Sequence, residues 1–118
     1  MNMRYTWLED DCASKPYAVK DYKPEWEATR FMVGGKMFAM LGEDKAGAPI
    51  CTLKLETANG ELLRKQYEHI IPGYYMNKTH WSSVHMEGNV PDDVLRAMVD
   101  QSHRLVLEGL PKKTRQEL

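Results

Sequence analysis

Two hydrophobic periods alternate along this chain. From Val94 to Leu110 the positions Val94, Leu95, Met98, Val99, Ser102, Leu105, Val106 and Leu110 repeat about every 3.6 residues, which predicts the longest helix. Pro91 at its start and Asp92 and Asp93 in its first turn suit the free amides there, and Gly109 and Pro111 stop it, leaving the basic tail Lys112-Lys113-Thr114-Arg115. A stripe of this length must lie across a sheet. A short helix is predicted from Trp7 to Cys12, with the Thr6 hydroxyl as its cap, an acidic start at Glu9, Asp10 and Asp11, and an end at Lys15-Pro16. Another is predicted from Thr57 to about Tyr67, with Leu62, Leu63 and Tyr67 inward and Arg64, Lys65 and Glu68 outward.

Elsewhere the runs are short and β-like. Tyr17 to Tyr22, broken by Lys23-Pro24, is followed by Ala28 to Val33, a Gly34-Gly35 hairpin signal, and Lys36 to Leu41, which is apolar on both faces. A polar loop over Gly42 to Pro49 then leads into Ile50 to Leu55, and a further strand is predicted from Trp81 to Met86. The order α-β-β-β-β-α-β-α predicts an α+β fold, an antiparallel sheet of about five strands with helices on one face. Alternation then assigns the faces: Cys51, Leu53, Leu55, Val84 and Met86 toward the helices, and Ile50, Thr52, Lys54, Trp81, Ser83 and His85 away from them, with Arg30 joining the second set.

Composition narrows the function more than the fold. The 118 residues suit one domain, 1–118, with a sizeable core. Sixteen basic and 17 acidic side chains give a net charge of −1, so any nucleic-acid site must be a local patch. Cys12 and Cys51 have no metal or redox spacing and read as buried thiols in a reducing compartment. There is no apolar run long enough for a membrane span and no secretory h-region, so the expected location is the cytoplasm, with no membrane partner. His69, His80, His85 and His103 form no close ligand pair, and no metal site is expected. With no phosphate loop, nucleophile elbow or paired carboxylates, no catalytic residue and no cofactor can be named, and a non-enzymatic protein is expected.

One stretch stands apart in its density of polar-tipped aromatics: Pro72-Gly73-Tyr74-Tyr75-Met76-Asn77-Lys78-Thr79-His80-Trp81. Pro72-Gly73-Tyr74, Met76-Asn77-Lys78 and His80-Trp81 closely resemble the signature of the MmcQ/YjbR family. Val33 to Ala39, Leu53-Lys54, Leu62 to Arg64, Gly88 to Asp93 and Ser102 to Val106 resemble further ordered segments of that family. His103 departs from the pattern, which has an aromatic residue there, and Asp21 to Glu27 fits it loosely. The resemblance implies a CyaY-like α+β domain and a DNA-binding role, and it carries no catalytic mechanism.

The leading expectation is a binding domain with DNA as partner. Lys54, Asn77, Lys78, His80 and Trp81 are the candidate surface, supported by Lys36 and Arg64. Lysines and Arg64 would neutralise phosphate, Asn77 would meet a base edge, and Trp81, Tyr74 or Tyr75 would stack on a base. Against this stands a structural role for the same residues, with Pro72-Gly73 making a turn, buried aromatic rings, and Asn77 or His80 bonding loop backbone. Two alternatives remain. One is a protein-interaction or secretion-chaperone-like module that uses an open face anchored by Ile50, Thr52 and Trp81, or self-associates through a Tyr17 to Tyr22 edge. The other is a small-molecule pocket roofed by the Tyr74 to Trp81 loop.

Overall fold

The structure is a computed structural model that describes residues 5–73 and 77–118. Helix α1 (Leu8–Ser14) is followed by β1 (Val19–Lys23), a 3₁₀ turn (Pro24–Trp26), β2 (Ala28–Val33), β3 (Lys36–Glu43) and β4 (Pro49–Lys54). Helix α2 (Thr57–Gln66), β5 (Ile70–Pro72), β6 (Trp81–His85), α3 (Asp92–Glu108) and α4 (Lys112–Gln116) complete it. The fold is α+β. Its antiparallel sheet has six strands in the order β1-β2-β3-β4-β6-β5, with the helices on one face. The additional strand is β5, three residues that pair with β6 and end on Pro72, the first residue of the signature stretch. Among the described residues no helix is long and apolar enough to cross a membrane.

The β2–β3 hairpin forms where Gly34-Gly35 requires it, since both residues hold positive φ, 57° and 80°, as a two-residue turn between paired Val33 and Lys36 demands. Register also confirms the face assignments on β4 and β6. Cys51 lies opposite Val84 on the helix face, while Thr52 opposes Ser83 and Lys54 opposes Trp81 on the other. Over the helix face α3 presents Leu95, Met98, Val99 and Val106, all buried with Phe31, Cys51, Leu53 and Val84 in one core. Each fully buried aliphatic or aromatic side chain contributes about 1.5–3 kcal/mol.

Several local expectations are corrected. Thr6 does not cap α1; Trp7 occupies the cap position with no side-chain bond, and the Tyr5 carbonyl accepts the Leu8 amide at 3.1 Å. Leu62 is 60% exposed, and the buried position on α2 is Gly60, against which Arg64 and Ser82 are packed. Arg64 therefore folds back onto the sheet rather than outward, its Nη1 donating to Ser82 Oγ at 2.8 Å. Ile50 and Thr52 are fully buried although they face away from the helices, so they cannot anchor a partner. They lie mid-sheet beside Met40, and the Thr52 and Ser83 hydroxyls bond each other at 2.7 Å. The basic tail, for which the sequence predicts no element, lies within the short helix α4.

One irregularity shapes the whole sheet. Phe31 opposes Ala39 but Met32 opposes Met37, so Phe38 is an extra residue, a bulge that turns both Phe38 and Ala39 into the core. Beyond the Ala39–Leu53 pair, β3 and β4 part: β3 runs on along β2 to Lys36, and β4 runs on along β6 to Lys54. Parting leaves a carbonyl and an amide that would be costly to bury unpaired. Ser102 of α3 serves both, its hydroxyl donating to the Phe38 carbonyl and accepting from the Lys54 amide at 2.8 Å. The next residue, His103, sits edge-on to Phe38 with ring centroids 5.0 Å apart, and its Nε2 lies 2.8 Å from the Pro16 carbonyl. It does the packing work of the aromatic that the resemblance leads one to expect.

Candidate functional site

The fork between β3 and β4 is a cavity of about 400 Å³. Lys36 and Met37 line the β3 prong, and Lys54 and Trp81 the other. Beneath them the end of α3 supplies a largely apolar floor from Leu105, Val106 and Leu110. Gly34 packs directly on Leu110 of this floor, since a Cβ there would sit 2.5 Å from Leu110 Cδ1. Three of the seven residues singled out in the sequence thus meet in one place, and they come from three different strands.

Trp81 is fixed from several directions. Its amide donates to the Asn77 carbonyl at 2.9 Å, its carbonyl accepts the Gly73 amide at 2.7 Å, and it opposes Lys54 in the ladder. Gly73 is the residue that permits this approach, since a Cβ would lie 2.6 Å from Trp81 Cβ. The indole ends half-buried. Neither Lys36 nor Lys54 forms an ion pair or side-chain hydrogen bond among the described residues, so both ammonium groups are free to meet an anion.

The other four candidates divide. Asn77, Lys78 and His80 lie on the exposed approach to β6, next to Trp81. Asn77 uses its Oδ1 to accept the Thr79 amide at 2.9 Å, the turn-forming role open to it from its sequence, while its amide nitrogen makes no hydrogen bond among the described residues. Lys78 Nζ reaches the Gly73 carbonyl at 3.4 Å, and His80 Nδ1 is 3.4 Å from Thr57 Oγ1. The His80 carbonyl also accepts the Leu55 amide at 2.8 Å, which ties the loop to the end of β4. Arg64 is not part of this cluster: Ser82, which it bonds, points to the helix face, opposite to Trp81. Tyr74 and Tyr75, named for stacking, lie outside the described residues.

Sequence reasoning missed Met37 and the α3 floor. The signal for the floor was present, because Leu105, Val106 and Leu110 belong to the predicted stripe, but nothing local indicates that strands part above them. A larger concavity, about 670 Å³, lies by Tyr17, Leu107, Lys112 and Arg115 and contains none of the candidate residues. Both thiols are poor nucleophiles: burial pushes Cys12 up to about 12, and burial likewise pushes Cys51 well above its ordinary value. No group of three or more His, Cys, Asp or Glu side chains converges among the described residues.

Comparison with known proteins places this geometry in a family. The YjbR family model matches residues 13–105. The Escherichia coli K12 protein YjbR, itself uncharacterised, is 35% identical over 107 residues, covering 91% of this chain and 90% of the relative. The uncharacterised YbdF of Escherichia coli O157:H7 is 37% identical over 92 residues, covering 78% of this chain and 73% of its own length. Among solved structures, the DUF419 domain of Deinococcus radiodurans protein DR2400 superposes with a TM-score of 0.81 at 30% identity, covering 93% of this chain and 83% of that one. A Pseudomonas syringae protein shares the fold at 23% identity, with a TM-score of 0.75 over 89% of this chain and 98% of that one. The chain belongs to the YjbR family.

Proposed function

We propose that this YjbR-family chain is a non-enzymatic domain that binds nucleic acid, with the fork of its sheet as the centre of the contact. The observation that supports this most is the meeting of Lys36, Lys54 and Trp81 in one cavity, with both ammonium groups unpaired among the described residues. Lysines without a carboxylate partner can neutralise phosphate, and a tryptophan opposite Lys54 offers a face for a base. Asn77, Lys78 and His80 extend the same surface along the loop, Lys78 as a third cation and the Asn77 amide nitrogen as a donor. Lys54→Ala tests the reading in a fluorescence-anisotropy titration of a labelled oligonucleotide at two salt concentrations. Salt-sensitive binding that the substitution weakens is expected. Absence of binding at low salt, where counterion release favours association most, would overturn it.

A second reading, a protein partner or self-association, has its own observation. β1 is an edge strand, and around it Tyr17, Val19, Tyr22 and Trp26 are between 48% and 61% exposed. Lys20 and Lys23 on the same strand oppose indiscriminate pairing. Sedimentation at rising concentration, with Val19→Lys as the control, distinguishes a dimer through this edge from a monomer.

A further inference from the structure

We infer that the fork receives a single unpaired nucleotide, its base against Trp81 and the two phosphates that flank it at Lys36 and Lys54, so that the domain selects single-stranded over duplex nucleic acid. The inference rests on the nucleic-acid reading above and narrows it. The cavity, at about 400 Å³, falls toward the small end of ligand sites, which span roughly 300–1,000 Å³. Its floor of Leu105, Val106 and Leu110 favours a flat, weakly hydrated ring over a hydrated phosphate. A site meant only to follow a sugar-phosphate backbone would have no use for that floor.

The position of the indole points the same way. Trp81 is half-buried at the wall of a cleft, and a base can lie against it only by leaving its own stack. Bases in an intact duplex present edges in the grooves and keep their faces covered, whereas single strands offer every base for stacking on an aromatic side chain. Charge agrees. The fork itself offers two cations, on a protein of net charge −1, fewer than the many phosphate contacts that hold a sequence-indifferent duplex binder. The two fork contacts on a single strand contribute about −1.4 to the slope of log K against log salt, at ~0.7 per contact.

The test compares three labelled DNAs by anisotropy: a ten-residue thymidylate strand, a fully paired hairpin, and the same hairpin with one extrahelical thymidine. The thymidylate strand and the bulged hairpin are expected to bind at least about tenfold more tightly than the paired hairpin. Trp81→Leu is expected to weaken single-strand binding about tenfold, while Trp81→Phe, which keeps an aromatic face, retains most of it. 2-Aminopurine placed in the single strand provides a check independent of the variants' folding, since its fluorescence should be quenched when it stacks in the wild-type fork. Equal affinity for strand and paired hairpin, an indifferent Trp81→Leu, or unquenched 2-aminopurine would each overturn this inference. If Lys54→Gln still weakened binding in such a case, the nucleic-acid reading would survive it. No binding to any of the three DNAs at low salt would sink both.

Discussion

The two ends of the sheet's first strands carry similar side chains put to opposite use. At the outer end, Arg30 clasps Asp21 through two bonds of 2.9 and 2.6 Å, Lys23 lies 3.7 Å from Glu25, and both cations sit over the Trp26 ring at 5.7 and 5.2 Å. There two cations and a tryptophan are consumed by one another and by Asp21 and Glu25. At the fork, Lys36, Lys54 and Trp81 repeat the inventory with no acid among them. A cation beside an aromatic therefore says little until its partners are counted. Of the two, the fork is the one with charge to offer a ligand.

The strongest way to break the contrast is to remove the brace that holds the fork open. Ser102→Ala strands the Phe38 carbonyl and the Lys54 amide, and an unsatisfied buried group costs about 1–3 kcal/mol. Urea denaturation should show a loss of about 2 kcal/mol or more, with oligonucleotide binding weakened in the protein that remains folded. Gly34→Ala acts on the floor through Leu110. It places a side chain at φ 57° and against Leu110, and should cost about 1–2 kcal/mol in the same assay.

Charge substitutions sharpen the contrast with less disturbance. Lys54→Gln should reduce the salt slope of binding by about 0.7, whereas Arg30→Gln should leave affinity and slope unchanged. The smallest effect belongs to Asp21. The two hydrogen bonds from Arg30 hold its carboxyl below the ordinary 3.8, so its small contribution to stability is present above the unfolded value and lost as pH falls through the folded one. An NMR titration should find the Asp21 carboxyl depressed in the wild type and returned to the ordinary range in Arg30→Gln.

Much of this fold was legible in the residues because local and global signals agree. Gly34-Gly35 has one conformational use, and the period-two alternation of β4 and β6 assigned Lys54 and Trp81 to a shared face correctly. What escaped is what depends on contacts distant in sequence. The Phe38 bulge exists because Ser102, sixty-four positions on, takes its carbonyl, and no local pattern foretells that. Arg64 looked like an outward helix residue because α2 is weakly amphipathic, yet the small Gly60 lets its guanidinium turn toward Ser82. β5 is three residues long and is defined by its partner strand rather than by its own composition. Of the site, the residue types were legible one at a time; their convergence required a fork that only the bulge and α3 create.

The most direct test of that convergence sets Lys36→Gln/Lys54→Gln against Lys23→Gln/Arg30→Gln in single-strand binding across a series of salt concentrations. The fork pair is expected to flatten the slope by about 1.4 while the outer pair keeps it. A slope that persists in the fork variant and collapses in the outer one would contradict it, and would place the contact at the Trp26 end of the sheet.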